Sequence, residues 1–298
     1  METPLTRRNF LALSGGALVA LRAPAAQAIV ERPVSLVIWQ GQGAFFGGFS
    51  GIELSTDRTR ALAVSDRGFA VRAQLIRNAR GRLTGVEHLE HFSLRDNNDQ
   101  PLQTRRRDVE GMDQQPDGTV HLSFEGGRRT RVMRHETARA RGRGLPRHDD
   151  WQSLPGNLGL EALAVDAGGR VFTIPENASN GAFPIYRLDG QSWSVIARLP
   201  NDSRFVPVGA DFGPDGNLYL LERKFRMAFF ATRISRLRPG NWGQREVLVE
   251  TNYGVLDNHE GISVTRDGRG QLWATTISDD NQNRLQRTEL AEFRLPPA

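Results

Sequence analysis

The sequence predicts an all-β protein: a β-propeller of five four-stranded blades. Three observations carry that prediction. A strand–turn–strand unit occurs five times, set on a small residue at Gly51, Gly111, Ala162, Gly209 and Gly261. The intervals are 60, 51, 47 and 52 residues, a spacing that suits a radial β repeat. Turn formers follow at matching offsets: Asp57-Arg58, Asp117-Gly118, Gly168-Gly169, Asp215-Gly216 and Asp267-Gly268.

Each unit reads as an inner strand A before the turn and a short apolar strand B after it. The B strands are Ala61–Val64, Val120–Phe124, Val171–Ile174, Leu218–Leu221 and Leu272–Thr275. More polar third strands follow at Val71–Arg77, Arg131–His135, Ile185–Leu188, Arg233–Leu237 and Glu289–Leu295. Fourth strands are expected at Val86–Leu94, Trp151–Leu154, Trp193–Leu199 and Glu246–Glu250. Buried inner strands and half-exposed outer ones produce this gradient of polarity. The fifth unit has no fourth strand of its own. The apolar stretch Val34–Gln40 precedes the first unit and has no partner there. Pairing it with the last blade closes the ring and leaves no free edge. A sixth blade would have to lie within Phe69–Arg107, where only two strands are legible. A β-sandwich accounts for the strands but not for the period.

The chain has 298 residues, enough for one large closed β domain. It has no cysteine, which excludes disulfides and thiolate metal sites. Net charge is +5, and Lys224 is the only lysine. The positive charge is mild and dispersed, so no nucleic-acid partner is expected. The Arg-rich run within Gly126–Arg147 lacks interleaved aromatics and reads as a solvated loop.

Residues 1–28 read as an address. Thr6-Arg7-Arg8-Asn9-Phe10-Leu11 fits the twin-arginine pattern. A mild apolar run follows, then the small-residue site Ala26-Gln27-Ala28. The run is too short to span a bilayer, so no stable membrane span is expected. Cleavage after Ala28 would leave residues 29–298 as a periplasmic or secreted propeller, delivered by the twin-arginine export machinery.

Strands A and B are antiparallel, so the start of A and the end of B share one end of the sheet. Just before the small residues stand Ser50, Glu110, Glu161, Val208 and Glu260. At or past the ends of the B strands stand Asp66, Glu125, Glu176, Glu222 and the pair Asp279-Asp280. Carboxylates crowded onto one face repel, raise one another's proton affinity, or take up a cation. Calcium suits such hard oxygen ligands, with Glu161, Glu125, Glu176, Glu222, Asp279 and Asp280 as the expected metal set. Glu110, Glu260 and Asp66 are the expected catalytic carboxylates. Arg67 and Arg223 fit an anionic substrate through their planar forks, with His259 beside them. The competing explanation is architectural: a residue repeated in every blade also fits a shared role in tying blades together. The Gly-rich stretch Gly41–Gly48 does not link a strand to a helix, so it is not a phosphate loop. The chain also lacks a G-x-S-x-G elbow.

Several segments together resemble a known family. They are Phe49-Ser-Gly-Ile52, Ala63-Val-Ser-Asp-Arg-Gly68, Val109-Glu-Gly-Met112, Leu160-Glu-Ala-Leu-Ala164, Leu220-Leu-Glu-Arg223, Asn258-His-Glu-Gly-Ile262 and Ile277-Ser-Asp-Asp-Asn281. In order and spacing these are similar to the phytase-like, "esterase-like activity of phytase" family. The resemblance implies an exported propeller that hydrolyses phosphate or other small anionic esters. The Asp-rich N-terminal motif of the calcium-dependent propeller phytases is not found, so it does not single out phytate. A fainter resemblance, in the Glu-Gly pairs, is to gluconolactonase-like propellers. There a channel-bound divalent ion polarises a lactone, and Glu110 or Glu260 would take the corresponding place. The alternative outside enzymology is a non-catalytic periplasmic binding or scaffold propeller.

Overall fold

The computed structural model describes residues 32–102, 108–156 and 158–297. The twin-arginine segment and its cleavage site lie outside the described residues.

Among the described residues, twenty strands form five antiparallel four-stranded sheets. The first blade is β2 (Phe49–Leu54), β3 (Arg60–Ser65), β4 (Phe69–Arg77) and β5 (Leu83–Ser93). The second is β6 (Val109–Gln114), β7 (Val120–Phe124), β8 (Arg131–His135) and β9 (Gly142–Gly144). The third is β10 (Leu160–Val165), β11 (Val171–Pro175), β12 (Ala182–Asp189) and β13 (Ser192–Pro200). The fourth is β14 (Val206–Phe212), β15 (Leu218–Arg226), β16 (Phe229–Leu237) and β17 (Glu246–Glu250). The fifth takes β18 (His259–Arg266), β19 (Leu272–Ser278) and β20 (Glu289–Arg294) from the chain's end. Its outer strand is β1 (Ser35–Ile38), antiparallel to β20 with Ser35 opposite Glu292. The ring closes as the sequence predicts, with five blades and not six. The long first interval is filled by the 9- and 11-residue strands β4 and β5 and by the turn that follows them.

The seam between the last blade and the first is locked twice. Trp39, just past β1, stacks on Phe49 of β2 with ring centroids 5.2 Å apart. Arg58 and Arg77 of the first blade both bind the buried Glu292 of β20, at 2.8 and 2.7 Å. Arg58 also lies over the Trp273 ring. That explains why Arg58 holds a left-handed turn position, φ 62°, where glycine is usual. In the fifth blade the positive-φ residue is Gly270, not Gly268, because the turn closes from Gly270 N–H to the Asp267 carbonyl.

One element differs from expectation. Trp151–Leu154 is not the fourth strand of the second blade; β9 is. Asp149–Ser153 forms a 3₁₀ turn, opened by the His148 ring accepting from the Asp150 N–H. It carries Trp151 into the core against Tyr186 and Trp193. An isolated Trp flanked by polar residues reads as a strand fragment, whereas burial of its ring decides the local structure. The Arg-rich stretch nearby is likewise not one loop. It holds a 3₁₀ turn and β8–β9, with Arg131 over Phe124 and Arg139 over Phe92.

The inner strands meet closely around the axis, and the repeated small residue makes this possible. A Cβ at Gly111 would collide with the Glu161 carbonyl, and one at Gly209 with the Glu260 carbonyl. At Gly261 it would lie 2.9 Å from Gly51 Cα. Five blades leave a channel so narrow that neighbouring backbones fill the space of a methyl group.

Candidate functional site

All five inner strands carry a register shift at the residue before the small one. The bulges fall at Ser50, Glu110, Glu161, Val208 and Glu260. A bulge leaves its extra residue outside the ladder and re-aims the side chain. Three of these side chains are the carboxylates Glu110, Glu161 and Glu260, close enough for Glu260 to raise both of the others. Burial, then Glu161 and Glu260, raises Glu110 well above the usual carboxylate range. Burial, then Glu176 and Glu260, does the same to Glu161.

The residues past the B strands complete this end of the channel. Burial, then Asp108 and Glu176, pushes Glu125 up to about 7. Burial, then Glu260, pushes Asp279 up to about 8. Asp66 is raised chiefly by burial. Glu161, Glu260, Glu125, Glu176 and Asp66 therefore all act on acids of the same mouth.

Arg223 is the counter-charge. Its guanidinium donates to Asn258 Oδ1 at 2.7 Å, to Glu176 at 3.1 Å and to Glu260. Blade four, whose bulge residue is Val208, thus supplies a cation where other blades supply acids. Arg67 is held in place by the carbonyls of Phe46 and Gly47. The Gly-rich loop so anchored lies over the rim. The Gly48 N–H donates to Asp280 Oδ1 at 3.1 Å, and a Cβ at Gly48 would strike Asp66.

Two expected residues stand elsewhere. Glu222 is fully buried; it accepts from Arg233 at 2.7 Å and from Ser235 at 2.6 Å, and pairs with Arg245 at 3.2 Å. It lies within β15, which runs on to Arg226, so it never reaches the end of a strand. His259 is buried beside Glu289, 3.6 Å away, behind the bulge that turns Glu260 inward. Asp108 and Asn258 belong to the mouth and were not singled out from the sequence. Each stands two residues before a bulge glutamate, at Glu110 and Glu260.

Sequence reasoning also missed a second acidic group at the opposite end of the channel. Glu53, Asp113 and Asp211 each stand two residues after a small residue. Their ligand atoms lie within 4.8 Å of one another, the only such group among the described residues. Burial, then neighbouring acids, holds Glu53 and Asp211 well above the carboxylate range, and burial takes Asp113 to about 6. This is the position that ties blades together. Asp113 Oδ2 accepts from Val165 N at 2.7 Å and Asp211 Oδ2 from Val264 N at 2.5 Å. Ser263 Oγ accepts from Leu54 N at 3.1 Å. In each case the acceptor binds the next blade's inner strand. At the mouth, Ser50 Oγ makes such a tie, to the Val109 carbonyl at 2.6 Å.

A family model, "Phytase-like: Esterase-like activity of phytase", matches residues 44–282. The chain belongs to the phytase-like family. No curated protein matches the sequence. Among solved structures, an exo-β-1,3-galactanase from Clostridium thermocellum superposes with a TM-score of 0.52 at 13% identity. That match covers 88% of this phytase-like chain and 63% of the galactanase chain. A glucose dehydrogenase gives 0.48 at 11% identity, over 89% of this chain and 100% of that one. A gluconolactonase from Xanthomonas campestris gives 0.45 at 13%, over 83% and 72%. At such identities the likeness concerns the fold. Among the described residues, no helix of the phytase-like propeller is long and apolar enough to cross a membrane.

Proposed function

We propose that this phytase-like propeller is an exported hydrolase of small anionic esters or phosphoesters, acting at the acidic mouth with a divalent cation. The observation that supports it is the convergence of Glu110, Glu161 and Glu260, three bulge residues of three blades, around one opening. Their donor set is hard oxygen, which fits calcium. Glu161, Glu176 and Asp279 would hold the ion by closing around it, since as they stand no three mouth carboxylates among the described residues have ligand atoms within 4.8 Å of one another. When bound, the cation would polarise the ester oxygen and acidify an attacking water.

The chain's own groups supply the rest. Glu125, at about 7, carries a proton that exchanges near neutrality, as a general acid or base requires. Arg223 fixes the direction of Glu260 and Glu176 and lowers the local negative charge that an anionic substrate meets. The Gly41–Gly48 loop, pinned by Arg67, narrows the approach from the side of the first blade.

The test is hydrolysis of p-nitrophenyl phosphate and p-nitrophenyl acetate by the mature chain, before and after chelation. Calcium should restore what chelation removes. Glu260→Gln should lower kcat by about 10²-fold or more with the fold intact. Turnover that is absent for both esters, or indifferent to the metal and to Glu260, rejects the proposal in favour of a binding propeller. Export rests on the twin-arginine segment. Replacing Arg7 and Arg8 by Lys should leave uncleaved precursor in the cytoplasm; normal processing of that variant would rule the route out.

A further inference from the structure

The end of the channel away from the mouth holds charge that the architecture does not require. The inter-blade tie at this position needs only a hydrogen-bond acceptor. Ser263 fulfils it in the fifth blade, and Ala164 stands there in the third with no polar side chain at all. Glu53, Asp113 and Asp211 nevertheless place three carboxylates from three blades within reach of one another. None of the three forms an ion pair with any described residue. Two arginines line the same cavity, of about 510 Å³, but both are engaged elsewhere. Arg170 is paired with Asp166 at 2.6 Å, and Arg266 donates to the Gly270 carbonyl.

Two further atoms point to a ligand at this end. Glu53 is 8% exposed, and its Oε1 has no hydrogen-bond partner, while Oε2 accepts from Ser263 Oγ at 3.0 Å. Thr265 lines the same cavity at 7% exposure, and its Oγ1 has no partner either. A buried oxygen without a partner is costly, and two beside an uncompensated acidic group share one remedy.

We propose that Glu53, Asp113 and Asp211 bind one calcium-type divalent cation at the face formed by the A–B turns, independently of the hydrolytic mouth. Oxygens on opposite sides of a calcium ion lie up to about 5 Å apart, which suits the spacing of this group. Thr265 Oγ1 and water in the cavity supply neutral ligands. The ion neutralises the three acids and fastens blades one, two and four across the axis. Its role is structural, so it survives loss of activity at the other end.

Terbium(III) tests the site, because Trp242 lines the same cavity and can sensitise its emission. The metal-stripped mature protein should give Trp-sensitised terbium emission that calcium displaces. In Asp113→Asn/Asp211→Asn, the amides still accept the backbone bonds from Val165 and Val264. That variant should keep its fold, lose the emission, and bind calcium at this site at least about 10-fold more weakly. Trp242→Phe should lose the emission yet keep the calcium. Glu260→Gln should keep the emission and the calcium bound at this site, whatever it loses at the mouth, which separates the two. Should the double variant fail to fold, Glu53→Gln carries the same expectation. Calcium uptake equal to wild type in the charge-removing variants, or emission that persists in Trp242→Phe, overturns the proposal.

Discussion

Metal-free protein is expected to melt about 10 °C lower at pH 8 than at pH 5, the reverse of ordinary acid denaturation. Asp279 gives the scale of the effect. Burial and Glu260 hold its folded pKa at about 8, against 3.8 for the free side chain. Between those values the folded state keeps a proton that the unfolded chain has released. The stability contributed by that protonated form is complete below the unfolded value and drains away as pH rises through the folded one. At about 1.4 kcal/mol per pH unit, three units cost about 4 kcal/mol for one such group, to order of magnitude. Glu110 and Glu161 are displaced in the same direction and add to it. Four glutamates, Glu90, Glu246, Glu289 and Glu292, and the aspartates Asp57, Asp117 and Asp267 are displaced the other way. Burial would raise Glu292, but Arg77 and Arg58 outweigh it, and Arg236 holds Glu246 low. Groups displaced downward oppose the trend only at more acid pH. Calcium should flatten the profile by replacing the protons. Thermal melts in chelator across that range decide the matter; a melting temperature that is level or rises with pH contradicts the charge crowding.

The architecture was legible because it repeats. A small residue forced by backbone contact, and a turn at a fixed distance after it, recur wherever a blade meets the axis. Gly111 against the Glu161 carbonyl is one instance and Gly209 against the Glu260 carbonyl another. The mouth was legible for the same reason, since one bulge in every blade puts the preceding residue in the same place. What failed was parity and strand length. Glu222 follows an apolar B strand just as Glu125 and Glu176 do, but β15 continues past it, and its side chain turns to Arg233 and Arg245. His259 adjoins Glu260, yet the bulge between them sends the two side chains to different surroundings. Glu53, Asp113 and Asp211 escaped notice because, within a strand, an acid two places after a glycine looks like ordinary alternation. Only the ring, bringing three inner strands together, makes them a group.

Replacing Arg223 by Gln should destabilise the metal-free protein by about 3–5 kcal/mol at neutral pH, the usual cost of stranding buried carboxylates. Its guanidinium is shared by Glu176 and Glu260, and its charge also reaches Glu161. Without it, the burial that already raises Glu260 acts unopposed by its main counter-charge. The variant should therefore lose least at pH 5, where the freed carboxylates take up protons, and most at pH 8. Adding Glu260→Gln removes one of the stranded charges and should recover part of the loss, a coupling that a double-mutant cycle measures directly. Calcium should recover part of it too, because a cation at the mouth substitutes for the missing guanidinium. A loss of equal size at both pH values, untouched by Glu260→Gln and by calcium, would show that Arg223 acts through packing alone. The mouth would then be no electrostatic unit, and the reason for expecting a metal ion there would go with it.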